Sequence, residues 1–483
     1  MKRAAILFPL AILGAACGAP PAPIATAGAV DHAAPAPAPR VSGPVDALRE
    51  GVLASSQALA TVRSLTDEAG PRLSGSPGNK AGIAWALRAL GEAGFAKVHA
   101  EACAVPHWER GEEKGAILEP SLQPLALAAL GGSVGTPPEG LEGEVIEAAS
   151  LEALDKLDPA KVAGRIVFLY VKMERTRDGS GYGAAVTPRG KGAIQAAKLG
   201  AAAVLIRSIG TDDNRTPHTG AMRYDDKVPK IPAAALANPD ADVLHRLLAE
   251  GKRVRVRLSL GARSLPDAEG ANVVGDVEGS GAPGEIVLLG AHLDSWDLGR
   301  GAIDDGAGCA IVMEAGRQIA RLPRHPRRTV RVVLFANEEN GLRGAHAYAT
   351  AHAAEVGSHV LALEADLGAG RVYEARFLGP ATAMAAFRAV AAAADPLGSV
   401  ASDKEAHGGA DLSPLMALGV PVIDLRQDAT TYFDFHHTAN DTLERVNKAD
   451  IDQAAAAFAA VAYAAADSPA DFGRIPEAKR QHD

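Results

Sequence analysis

The sequence predicts an α/β fold: a mixed, mainly parallel sheet flanked by helices, with an α+β module inserted into it. Three observations carry this. Runs of aliphatic residues such as Glu285–Gly290 and Val330–Ala336 read as strands buried on both faces. Segments with apolar residues at helical spacing alternate with those runs. Polar, chemically reactive residues stand just past the carboxyl ends of the strands, the edge where open α/β sheets bind ligands.

Residues 1–17 read as an export signal, with Lys2 and Arg3 as the charged start, Ala4–Leu13 as the apolar core and Gly14-Ala15-Ala16 as the cleavage region. Cys17 then resembles the acylated cysteine of bacterial lipoproteins, although Gly14 stands where an aliphatic residue is usual. The expected location is exported: periplasmic, anchored to the outer membrane through a lipidated Cys17, or secreted. Residues 18–42 are Ala/Pro-rich and form an extended tether rather than a packed core.

Residues 43–119 are the first part of the catalytic domain. A helix is expected over 43–66, with Val45, Leu48, Val52 and Leu59 on one face, then a turn-rich loop Gly70–Gly78. A second helix over 79–94 carries Ile83, Leu87 and Leu90, and a strand over 96–105 follows.

Residues 120–262 change character. Short strands at Gly143–Ile146, Arg165–Leu169 and Ala203–Ile206 alternate with helix 190–199 and a lid-like polar loop over 207–227. No cluster of potential metal ligands occurs there, and the isolated His218 reads as a solvated loop residue. This is the inserted, non-catalytic module.

Residues 263–470 complete the catalytic domain. Strands 285–290, 330–336, 360–363 and 420–425 are interleaved with helices 306–321, 341–354 and 412–418. A loop over 432–442 and a helix over 448–466 close it, leaving the polar tail 471–483. The formal charge of −9 and the lack of any Lys/Arg-rich run exclude a nucleic-acid partner, which needs a basic face. The cysteines Cys17, Cys103 and Cys309 form neither a zinc-type pair nor a disulfide framework.

Strand-end segments and the late loop each offer a metal-type ligand: His292, Asp304, Glu339, Asp366 and His437. Two zinc ions sharing one carboxylate would use this set fully, with Asp304, on a tight loop between two strand ends, as the bridge. Asp294, two residues after His292, would accept the second imidazole N–H and fix its tautomer. In the pair Glu338-Glu339, neighbouring side chains leave an extended strand end in different directions. One can hold metal while the other reaches an attacking water as general base.

These residues resemble peptidase family M28. The pattern is His292-Leu293-Asp294-Ser295-Trp296-Asp297, Asp304-Asp305-Gly306-Ala307-Gly308, Glu338-Glu339-Asn340-Gly341, Glu364-Ala365-Asp366 and His437-Thr438-Ala439-Asn440-Asp441-Thr442. Ser295-Trp296-Asp297, the doubled His436-His437 and Pro71-Arg72-Leu73-Ser74-Gly75-Ser76 are most similar to its carboxypeptidase Q branch. The resemblance implies a zinc exopeptidase fold carrying an inserted protease-associated domain. It implies that Glu338 is the base, that the five ligands hold two Zn2+, that short peptides are the substrates, and that the chain forms a homodimer. His436 and Tyr432 are then the groups available to stabilise the tetrahedral intermediate, and Asp411 lies in a substrate-pocket loop. Two rival readings remain: a single-zinc enzyme similar to glutaminyl cyclase, and a non-catalytic binding protein of the transferrin-receptor type.

Overall fold

The computed structural model describes residues 43–480; the export signal, Cys17 and the Ala/Pro tether lie outside the described residues. Two eight-stranded sheets organise the fold. The first runs in the order Ala96–Glu109, Arg263–Val277, Arg328–Phe335, Ala282–His292, His359–Glu364, Val422–Gln427, Val372–Leu378, Val400–Ala401. Its four central strands, Arg328–Phe335 to Val422–Gln427, are parallel, and antiparallel pairs flank them. Val287, Leu289, Val330, Val332, Leu361 and Leu363 are fully buried, as strands covered on both faces require.

Helices Ala307–Ala320 and Lys448–Asp467 pack together within the larger core on this sheet. In the latter, Ala454–Ala457 and Ala459 are all buried, and such small side chains let the helix sit close to its neighbours. Asn447 caps its start by accepting hydrogen bonds from the N–H groups of Ala449 (2.9 Å) and Asp450 (3.3 Å). The opposite face of the sheet is covered by Arg343–Ala351 and Ser413–Ala417, around Val274, Leu288, Phe335 and Tyr348.

The second sheet is built from strands between Glu113 and Leu260, with a parallel run through Leu141–Ala148, Ile166–Leu169, Ala203–Arg207 and Ala233–Leu236. It has its own core of Ile117, Phe168, Leu205, Leu244 and Val256.

Three details differ from the expectation. The first helix is two, Pro44–Ser55 and Ala58–Glu68, because the Ser56 hydroxyl accepts the Ala58 N–H and starts a new helix (3.1 Å). Strand Arg263–Val277 is a long connector whose exposed first half hides its strand character. Val372–Leu378 is an antiparallel strand with the ion pair Arg376–Glu374 in it, which masks its apolar pattern. Among the described residues, no helix is long and apolar enough to cross a membrane. Cys103 and Cys309 are free thiols.

Candidate metal centre

The parallel strands deliver their polar ends to one edge of the first sheet. His292 is the last residue of its strand, Glu338 and Glu339 follow the strand ending at Phe335, and Asp366 follows the strand ending at Glu364. His436 and His437 come from the loop after Val422–Gln427. Asp304, joined to Asp305 by a cis peptide bond, rises between them.

The Asp304 carboxylate has an imidazole on each side. His292 Nε2 lies 3.2 Å from Oδ1, and 3.5 Å from Asp366 Oδ1. His437 Nε2 lies 3.2 Å from Asp304 Oδ2, and 3.0 Å from Glu339 Oε2. His292, Asp304 and Asp366 thus form one cluster with ligand atoms close enough to hold an ion. Asp304 and His437 form a second with His436, whose Nε2 is 3.5 Å from Asp304 Oδ2, and Glu339 adjoins it through His437. All five expected ligands are brought together, and His436 stands stacked on His437 with ring centres 3.5 Å apart.

The electrostatics favour cations here. Asp304 Oδ2 is buried and accepts no hydrogen bond. Burial raises Glu338 and Glu339 well above the usual carboxylate range, and the surrounding carboxylates Asp366 and Asp304 add to it. Burial works against Asp304 as well, but the imidazoles of His292, His437 and His436 hold it well below that range. So many carboxylates in one enclosed space are stable together only when positive charge joins them.

A frame of buried groups sets these positions. The Asp305 carboxylate accepts the N–H groups of His292 (3.1 Å) and Gly308 (3.0 Å). Gly308 has no room for a side chain, since a Cβ would lie 1.9 Å from the Ala365 carbonyl oxygen. Asp441 Oδ1 accepts from Ala302 (2.8 Å) and Ile303 (2.7 Å), holding the loop that presents Asp304. The fully buried Arg72 donates to the carbonyls of Leu293, Gly70, Arg300 and Gly301. Trp296 N–H donates to Glu339 Oε1 (3.2 Å), and Asp297 takes a bidentate pair from Arg110 (2.8 and 2.6 Å).

Several expectations need correction. His292 Nδ1 lies 3.1 Å from the backbone oxygen of Asp294 and 3.7 Å from its carboxylate. The carboxylate is occupied elsewhere, accepting from Glu338 N–H (3.0 Å) and Ser74 Oγ (3.2 Å). Glu338 and Glu339 do not diverge from a strand pleat. They sit in a turn after Asn337, whose backbone is left-handed (φ 63°), and the following helix begins only at Arg343. His218 is no solvated residue: it is buried, with Nδ1 2.7 Å from the His436 carbonyl and Nε2 2.6 Å from Asp212.

The second-sheet segment therefore reaches the centre. Thr219 N–H donates to the His437 carbonyl (3.0 Å), and its own carbonyl lies 3.3 Å from His437 Nδ1. That pairing steadies His437 in a left-handed backbone (φ 62°) and leaves Nε2 for the centre. Tyr182 stacks on Phe433 (5.0 Å) and meets the His436 ring edge-on (5.1 Å). Arg175 pairs with Asp434 through both guanidinium nitrogens (2.9 and 2.6 Å). Sequence reasoning missed these contacts because they join residues more than two hundred positions apart with no shared motif.

The remaining expected residues are near but less committed. Tyr432 is buried against His436, with ring centres 5.0 Å apart. Asp411 is fully buried beside Glu364, and neither carboxylate oxygen has a hydrogen-bond partner.

Peptidase family M28 matches residues 272–462. Carboxypeptidase Q of Bos taurus is 39% identical over 403 residues, covering 83% of this chain and 84% of that protein. A solved peptidase M28 precursor from Shewanella amazonensis SB2B superposes with a TM-score of 0.88 at 45% identity, over 89% of this chain and 98% of that one. A zinc aminopeptidase from Bacillus subtilis shares the fold, with a TM-score of 0.62 at 19% identity, over 87% of this chain and 97% of that one.

Proposed function

The chain belongs to peptidase family M28, and we propose that its zinc-dependent exopeptidase activity on peptides rests on two zinc ions, which Asp304 would help to hold. His292 and Asp366 would complete one ligand set, His437 and Glu339 the other. The observation that carries this is the bridging geometry: each oxygen of one buried carboxylate faces a different imidazole Nε2 at 3.2 Å. The donors fit the metal, since imidazole nitrogens and carboxylate oxygens at a buried site suit zinc.

Zinc held there supplies Lewis-acid polarisation of the scissile carbonyl and eases deprotonation of water. Glu338 takes the proton of the attacking water and passes it to the leaving amine. Its backbone N–H on Asp294 and the Ser74 hydroxyl on the same carboxylate fix where it stands. His436 Nε2 lies 3.5 Å from Asp304 Oδ2, with its ring stacked on His437, which suits contact with the developing oxyanion. The second sheet starts at Glu113, a few residues before the expected boundary at 120, and its segment to about 262 is assigned as a protease-associated module. Cys17, following an apolar export core, is assigned as a lipid anchor that keeps the enzyme outside the cytoplasm.

The test is zinc per chain by elemental analysis, with dipeptide hydrolysis before and after chelation. Two zincs and chelator-sensitive, zinc-restored turnover are expected. One zinc per chain would support the single-zinc rival, and turnover indifferent to chelator would remove the metal mechanism.

A further inference from the structure

One cavity beside this centre is not used by the chemistry above. It measures about 230 Å³ and lies where the catalytic domain meets the second-sheet segment, a usual place for a ligand pocket. Pro106, Trp108 and Leu265 line it from strands Ala96–Glu109 and Arg263–Val277. Met222 lines it from the second-sheet segment, and Asn340 from the turn that carries Glu338 and Glu339. Its floor reaches the centre through one ring. Gly131 presses on Trp296, since a Cβ there would stand 1.8 Å from Cη2. The same ring packs on His437 with ring centres 5.7 Å apart, and the Trp296 backbone N–H donates to Glu339 (3.2 Å).

The mouth carries the charge. Between the pairs Val105–Ala268 and His107–Leu265 the register shifts, so that Pro106 faces both Pro266 and Asp267. A bulge of this kind re-aims the side chains of its strand and recurs beside active sites. Asp267 lines the cavity and is exposed. Among the described residues its carboxylate has neither a hydrogen bond nor an ion pair. The acids nearby are taken: Glu109 by Arg263 (2.9 Å) and Asp297 by Arg110 (2.8 Å). His107, the other ionisable group in the lining, stands 3.8 Å from Glu109.

We propose that this cavity receives the side chain of the residue on the carboxyl side of the scissile bond, and that it selects a basic one, arginine or lysine. Glu338 passes its proton to the leaving amine, so the leaving residue lies over the turn that carries Glu338. Asn340, two residues on, stands in the cavity wall. The aliphatic stem of a basic side chain would run along Pro106, Met222 and Leu265 with its charged head at the exposed mouth. Long cationic side chains lie on apolar surfaces in this way. Asp267 is the unpaired carboxylate that meets the head. The inference rests on the exopeptidase reading.

The test compares L-alanyl-L-arginine with its uncharged isostere L-alanyl-L-citrulline on the zinc-loaded full chain. The wild type should favour the arginine peptide about threefold to fivefold in kcat/KM, the worth of one ion pair open to solvent, and the preference should shrink in high salt. Asp267→Asn should bring that ratio near one, chiefly through a higher KM for the arginine peptide. Asp267→Lys should go further and favour L-alanyl-L-glutamate over L-alanyl-L-glutamine. Equal wild-type rates on the arginine and citrulline peptides overturn the proposal whether or not the variants fold. So does a wild-type preference that survives unchanged in both Asp267 variants, even if each slows all substrates by one factor. Hydrolysis of neither peptide by zinc-loaded wild type would instead sink the exopeptidase reading, and this inference with it.

Discussion

Glu338 and Glu339 are neighbours with separable jobs, because the left-handed turn at Asn337 aims Glu339 at His437 and leaves Glu338 half-buried beside it. Glutamine keeps the shape of glutamate but cannot take up a proton. Glu338→Gln should retain zinc while turnover falls by roughly two to four orders of magnitude, the usual worth of general acid–base catalysis. Glu339→Gln should lose zinc and melt earlier, since metal affinity is linked to folding. Zinc stoichiometry and turnover of both purified variants check this, and metal loss in Glu338→Gln alone would exchange the two roles. Arg72 acts at the same scale without touching the reaction. Arg72→Met leaves four carbonyls without their donor, those of Leu293 and Gly301 in buried positions, and should cost on the order of 3 kcal/mol, read as a lower denaturation midpoint.

Among the elements, strand His359–Glu364 carries a pH-sensitive start that is separate from the metal centre. His359 Nε2 lies 2.9 Å from the Tyr348 hydroxyl, and its pKa is pushed down to about 4, first by burial and then by Arg331. His352, Arg331 and Glu355 also face this position. The folded pKa lies below the unfolded value of about 6.5. Stability from the neutral ring is therefore complete above about pH 6.5 and is lost as pH falls toward 4, by on the order of 2 kcal/mol. His352, held up chiefly by Glu101, titrates in the opposite sense, so the comparison must be between wild type and His359→Gln. The variant should show a shallower fall in melting temperature from pH 7 to pH 5; parallel curves would rule the idea out. Most elements were readable in order because a doubly covered strand must be aliphatic and a covered helix must repeat its apolar face. Strands Arg263–Val277 and Val372–Leu378 were not, since one is half exposed and the other pairs its own charges.

For the whole molecule, the contact between the second-sheet segment and the histidine loop matters most. His218 bridges Asp212 and the His436 carbonyl, and Arg175 holds Asp434 on the same loop. His218→Ala leaves a buried carboxylate and a carbonyl without their partner. It should lower stability by about 1–3 kcal/mol and weaken retention of one zinc in dialysis against a chelator. Zinc retention and melting equal to wild type would show that the segment merely lies nearby.

The chain itself determined the fold class and the identity of the metal-type residues. Burial on both faces of a strand selects aliphatic runs, and an ion selects imidazole and carboxylate, so both leave local signatures. Only the tertiary structure decided that Asp294 serves Glu338 through its carboxylate and that His218 is buried against the His436 carbonyl. Those facts depend on which distant segments meet. A solitary histidine or arginine reads the same in a sequence whether water or a buried wall surrounds it, and its partner sets its energy.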